Sequence, residues 1–256
     1  MTMVESRPYT DPAVHQAGPG LGRAVLVEAR TLTGTRSQRA VAAGGLFAMA
    51  AFAGGRALQP LAETTTSQLV AMACGPAGWM MLVLAVLLVS QEFSHGTIEQ
   101  SLLADPDRSR LVLAKALAVL AADAVAFLVA VLMGAGAALV APLLTGTPVL
   151  WRWDAGQLAL AAGSLVFTSL AALAWALVSR SAPAPIMVLL LWPTIALLLS
   201  AVSSQVAAVL GWVNLDAVWV LADPTPGAWA RLASSMLVWI VLPAGLGAWR
   251  LVKGDL

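Results

Sequence analysis

Runs of apolar residues recur along this chain, and its polar residues are collected in the gaps between them. A bilayer core of about 30 Å needs roughly 20 consecutive apolar residues when crossed as a helix, so run length decides the elements. Residues 69–89, 158–178 and 229–249 meet that length, and 111–140 exceed it. Pro142, Gly146 and Pro148 are expected to end the run from 111, and Gly75 and Pro76 to bend the one from 69. Residues 186–210 form a fifth span with a kink expected at Pro193, where an N–H is missing and the ring crowds the preceding turn. Residues 40–55 are the weakest span, short and rich in Ala and Gly. It is completed if Arg56 snorkels outward and 57–62 continue the helix. Gly44, Gly45, Gly54 and Gly55 point to close helix contact, because small residues let backbones approach.

Two stretches depart from this pattern. Between residues 21 and 32, Leu21, Val25, Ala29 and Leu32 share a helical face with Arg23 and Arg30 opposite, blurred by Leu26 and Val27. A helix lying along the membrane surface and a plain cytoplasmic helix both fit. In 211–228, Trp212 and Trp219 are seven apart, but Asn214, Asp216, Asp223, Pro224 and Pro226 make the stretch too polar to cross. One or two short helices anchored by tryptophan in the outer interface are expected there. Trp151, Arg152, Trp153 and Asp154 form a similar border before the fourth span, and Ser234 and Ser235 lie within the sixth.

The densest polar stretch after the first forty residues runs from Glu92 to Lys115 and also carries His95, Glu99, Asp105, Asp107, Arg108 and Arg110. Gly96 can end the preceding helix through a positive φ, and Thr97 with Gln100 makes a capping box for a new one. Asp105, before Pro106, is pushed out of the helical region, and Pro106 suits the first turn of the next helix. A two-turn helix from about Ile98 to Ala104 follows, with Ile98 and Leu102 on one face.

Glu92, Phe93, His95, Gly96, Thr97, Ile98, Leu102, Leu103, Pro106, Arg108, Arg110 and Lys115 resemble the signature between the second and third membrane helices of type-2 ABC exporter permeases. Ser94 and Glu99 stand where that family more often has Arg. The resemblance implies that the short helix is a coupling helix, seated on a separate ATPase and relaying its nucleotide-driven motion. It gives Glu92 the role of tying the coupling helix to the gate helix; an interfacial charge paired with Arg108, Arg110 or Lys115 is the plainer role. It also favours the membrane surface for the helix at 21–32.

Composition narrows the class. With 60% hydrophobic residues, 11% charged residues and a mean hydropathy of +0.86 over 256 residues, there is too little polar surface for a water-soluble globule. The net charge of +1 averages over two sides of a bilayer, so only its distribution informs. With the amino terminus inside, Arg7, Arg23, Arg30, Arg36, Arg39, Arg108, Arg110, Lys115, Arg180, Arg250 and Lys253 are cytoplasmic, eleven of fourteen basic residues. Arg56, Arg152 and Arg231 are left outside, as the positive-inside rule requires. The single cysteine, Cys74, lies in an apolar run and reads as packing. The first twenty residues lack an apolar signal region.

Catalytic motifs are not found. The Gly18, Gly20, Gly22 cluster lacks the lysine and preceding strand of a P-loop, His15 and His95 lack a second ligand at metal spacing, and no H-E-x-x-H or G-x-S-x-G occurs. Asp123 is the ionisable residue deepest in a span, ~18 Å from residue 111 at 1.5 Å per residue. Insertion there costs roughly 2.5–3.5 kcal/mol. It reads either as a polar contact on a substrate path or a proton-linked switch, or as a carboxyl hydrogen-bonded to a neighbouring helix through Ser164, Thr168 or Ser169.

The sequence thus predicts an all-α integral membrane protein of six transmembrane helices, with a disordered cytoplasmic tail at 1–20, an amphipathic interfacial helix at 21–38 and the permease domain at 39–256. The expected activity is that of the membrane subunit of an ABC exporter in the inner (plasma) membrane, with both termini cytoplasmic, exporting an amphipathic or lipophilic drug, antibiotic, lipid or peptide. The expected partners are an ATPase subunit carrying ATP and magnesium, a second permease subunit and membrane lipids, with no nucleic acid and no cofactor in this chain. A proton-coupled secondary transporter using Asp123, and a non-transporting immunity or sensor component, are the other two readings.

Overall fold

The computed structural model describes residues 20–59, 64–94, 108–146, 148–223 and 225–253. The tail before Gly20 and the short helix expected at 98–104 lie outside them. Among the described residues, six helices are long and apolar enough to cross a membrane: Arg36–Ala57, Thr66–Gln91, Ser109–Thr145, Ala155–Ser179, Pro183–Ser200 and Ala228–Arg250. The chain is an all-α, multi-span integral membrane protein, and the amphipathic helix, Leu21–Thr31, precedes the first span. Successive crossings bring Gln91, Lys115, Arg180 and Arg250 to one end of the bundle and residues 64–67, 148–154, 211–223 and 225–227 to the other.

The second span is the hub. It packs against the first, third and fourth spans, and 72% of its most apolar stretch is buried, against 11% for the fifth. Small residues permit this. A Cβ on Gly134 of the third span would come within 2.7 Å of the Val70 side chain and 2.8 Å of the Val70 backbone nitrogen. Gly45 of the first span approaches Met80 as closely, whereas Gly44, Gly54 and Gly55 face open space, so of the four glycines expected at a contact only Gly45 makes one.

Several boundaries move, each for a local reason. The first span gains its length before residue 40: Thr35 and Gln38 form a reciprocal capping box that starts the helix at Arg36. It ends at Ala57 with Leu58 as its cap, so the expected helical continuation does not extend past Ala57, and 60–62 lie outside the described residues. The third helix runs from Arg108 through Pro142 to Thr145, 38 residues, and breaks at Gly146, whose φ of +71° suits glycine. Proline costs less in that last turn than unsatisfied backbone groups would in an apolar medium. The fifth span stops at Ser200 instead of 210. Ser203 turns back to accept a hydrogen bond from the Val206 N–H at 3.2 Å and starts a separate helix, Ser204–Leu210. The 3₁₀ helix Ala217–Ala222 follows and is the short helix that falls within 211–228 among the described residues; Ser204–Leu210 lies wholly ahead of that stretch, in residues expected to belong to the fifth span.

The sixth span contains a π turn, Leu237–Val241, between Ala228–Met236 and Leu242–Lys253. It carries the buried Trp239, whose indole N–H donates to the Val213 carbonyl at 3.2 Å. Trp192 donates to the same oxygen at 3.2 Å, and the two rings lie 5.2 Å apart. Trp175, 6.0 Å from Trp239, completes an interior aromatic group, while Trp151, Trp153, Trp212, Trp229 and Trp249 are exposed, as anchors would be. At this end, the Thr66 N–H donates to Leu150 O at 3.1 Å and the Leu150 N–H to Thr64 O at 2.9 Å, clipping the start of the second span to the third–fourth connection.

Candidate functional site

The amphipathic helix has the predicted inner face, with Leu21, Val25 and Ala29 half-buried, Leu32 buried, and Arg23, Leu26, Val27 and Arg30 exposed. The third span covers that face. Glu28, three residues after Val25 and four before Leu32, must fall on it too. There it accepts a hydrogen bond from Lys115 Nζ at 2.8 Å, the Lys115 and Glu28 side chains being 3% and 9% exposed. Desolvating two charges consumes much of their attraction, so such a pair adds little net stability, but either charge alone would be strongly destabilising there.

A second fastening lies beside the first. Gln38, fully buried, uses its Oε1 to accept from the Thr35 N–H at 3.0 Å and its Nε2 to donate to Gln91 Oε1 at 3.3 Å. Gln91 Nε2 in turn donates to Thr35 Oγ1 at 3.5 Å. Gln91 immediately precedes the polar stretch and Lys115 closes it. Both legs of that stretch are therefore held by one short segment, Glu28 to Gln38.

Of the residues singled out in the stretch, Glu92 lies in the last turn of the second helix and Arg108 begins the third. Gly96, Thr97, Ile98, Leu102 and Pro106 lie outside the described residues. Arg110 is half-buried, and Lys115 has Glu28 as a partner at 2.8 Å. Glu28, Gln38 and Gln91 were not singled out from the sequence. The available signal was a lone acid within an otherwise apolar helical face, and a lone lysine at an apolar span entrance.

Asp123 is buried on the seam between the third and fourth spans. Of its three expected partners, Ser169 is the one that reaches it, with Oγ 2.5 Å from Asp123 Oδ2. The same hydroxyl lies 3.0 Å from the Val166 carbonyl, and one proton cannot serve both acceptors. Asp123 Oδ1 has no hydrogen-bond partner among the described residues. Ser164 and Thr168 instead bond to the carbonyls of Ala161 and Ser164 in their own helix, at 3.1 and 2.8 Å.

Ser164 and Thr168 line a cavity of about 500 Å³ between the second, fourth and fifth spans, with the 3₁₀ helix at one end. Gly75, Gly78 and Trp79 form one wall, and Asp216 and Trp219 stand at its upper rim. Asp216 and Pro193 also line a neighbouring cavity of about 290 Å³. Asp216 is exposed at the surface of these cavities, and the protein crowded around it raises its pKa above the usual carboxylate range by partial desolvation. No group of His, Cys, Asp and Glu able to hold a metal occurs among the described residues. No family model, curated protein or solved structure matches the chain.

Proposed function

We propose that this protein is the permease subunit of an ATP-driven exporter, working as a pair of permeases with two separate ATPase subunits. The observation that carries the reading is the double fastening of the polar stretch, Gln91 to Thr35 and Gln38 on one leg and Lys115 to Glu28 on the other. A partner pressing on residues 92–107 would move the second and third spans together with the amphipathic helix and the first span, because all four meet there. The resemblance of residues 92–115 to the type-2 ABC exporter signature and the distribution of basic residues support the same orientation, with this end and both termini in the cytoplasm. ATP and magnesium belong to the partner. The coupling residues are Glu92, Gly96, Thr97, Ile98, Leu102, Pro106, Arg108, Arg110 and Lys115.

Co-purification with a P-loop ATPase encoded beside this chain tests the reading. Gly96→Trp and Pro106→Ala are then expected to leave ATP hydrolysis running while abolishing uptake of labelled amphipathic compounds into inverted vesicles. Failure to recover any nucleotide-hydrolysing partner, or exterior labelling of His95, overturns it. Hydrolysis with no transported compound would instead identify a sensor or immunity component. The unpartnered Asp123 Oδ1 favours one further alternative, a secondary transporter, which would move substrate on a proton gradient without ATP.

A further inference from the structure

We propose that the cavity between the second, fourth and fifth spans is a binding site for apolar organic cations, with Asp216 as its charge-selecting residue. Its volume of about 500 Å³ falls in the range of small-molecule sites, and its lining is mostly apolar. Trp79 and Leu190 in its wall are 54% and 39% exposed, so the cavity is open rather than sealed.

The polar groups set the sign of the ligand. The Asp216 side chain has no hydrogen-bond or ion-pair partner among the described residues; the Asp216 backbone N–H, by contrast, donates to Asn214 Oδ1 at 3.0 Å. Asp216 is exposed to the cavity with no counter-charge beside it, so a cation is attracted there and an anion repelled. Ser164 and Thr168 spend their protons on backbone carbonyls, so their oxygens are left as acceptors. Trp79 and Trp219 add indole rings to the lining, the aromatic side chain that attracts cations best. Acceptors, indole rings and a carboxylate around an apolar cavity suit an apolar cation and disfavour an anion of the same shape.

This ligand class rests on the exporter reading only in calling the cation a substrate; binding itself needs no ATPase. The full chain in zwitterionic nanodiscs is dialysed to equilibrium against tetraphenylphosphonium, with protein-free nanodiscs as the blank and tetraphenylborate, its anionic isostere, as competitor. Saturable binding of one cation per chain is expected, undisturbed by the borate and weakened about tenfold or more in Asp216→Asn. Gly78→Phe is expected to abolish binding by filling the cavity, since a Cβ at Gly78 meets nothing within 4 Å and the fold should tolerate it. No saturable binding above the blank, equal affinity in Asp216→Asn, displacement by the borate, or unaltered binding in Gly78→Phe each overturns the proposal. A failed ATPase capture would overturn the exporter reading and leave this one standing.

Discussion

Lys115 and Glu28, 87 residues apart, form a buried ion pair at 2.8 Å that joins the amphipathic helix to the third membrane span. Removing one charge strands the other in a site with little water. Glu28→Ala or Lys115→Ala should therefore lower stability by about 3–5 kcal/mol, whereas the double replacement Glu28→Leu, Lys115→Met should recover most of it. Thermal unfolding in detergent measures both. Equal losses in the single and double variants would mean that packing, and not charge, governs the contact.

A close approach of one helix to another's backbone gives an independent prediction. A Cβ at Gly134 would fall 2.8 Å from the Val70 backbone nitrogen, which cannot move without shifting the second span. Gly134→Ala should cost about 1–3 kcal/mol from overpacking. Gly54→Ala meets nothing within 4 Å and should be neutral or gain up to about 1 kcal/mol from helix propensity. The comparison is again made by thermal unfolding, where a similar effect at both sites would contradict the packing.

At Asp123, the Ser169 hydroxyl is the partner that separates structural from functional roles. Ser169→Ala leaves a buried carboxyl oxygen without its donor and should cost about 1–3 kcal/mol. Asp123→Asn keeps an acceptor for Ser169 and should stay folded. Asp123→Ala should impair export without unfolding the protein; normal vesicle transport by that variant would remove Asp123 from the site. Transport retained in Asp123→Asn but lost in Asp123→Ala would mean that the hydrogen bond, and not proton exchange, is what matters.

Asp216 predicts a pH dependence with a definite sign. Burial raises its folded-state pKa, so between the ordinary carboxylate value and the raised one the folded chain holds more protons than the unfolded chain. Its contribution to stability is fully present below the unfolded pKa and is lost as pH rises through the folded pKa. Asp216→Asn should match the parent at low pH and become the more stable of the two as pH rises through that window. Unfolding temperatures of both proteins across this range measure the gap, and a gap that closes with rising pH would reverse the assignment.

The six spans were legible because each is a property of a contiguous segment. Where the reading slipped, polar side chains had intervened: Thr35 and Gln38 extended the first span backward, and Ser203 cut the fifth one short. The face Leu21, Val25, Ala29, Leu32 was legible by period, but not that the third span covers it. The cavity was not legible, since Gly78, Thr168 and Asp216 come from three elements.

Six membrane crossings follow from the amino-acid order alone, because the bilayer acts as solvent on every apolar segment separately. Which polar groups meet is a matter of packing in three dimensions: Glu28 with Lys115, Gln38 with Gln91, Asp123 with Ser169. Those pairings depend on how each helix is rotated and how deep it sits, and for the first and third spans the close packing of Gly45 and Gly134 against the second span restricts both.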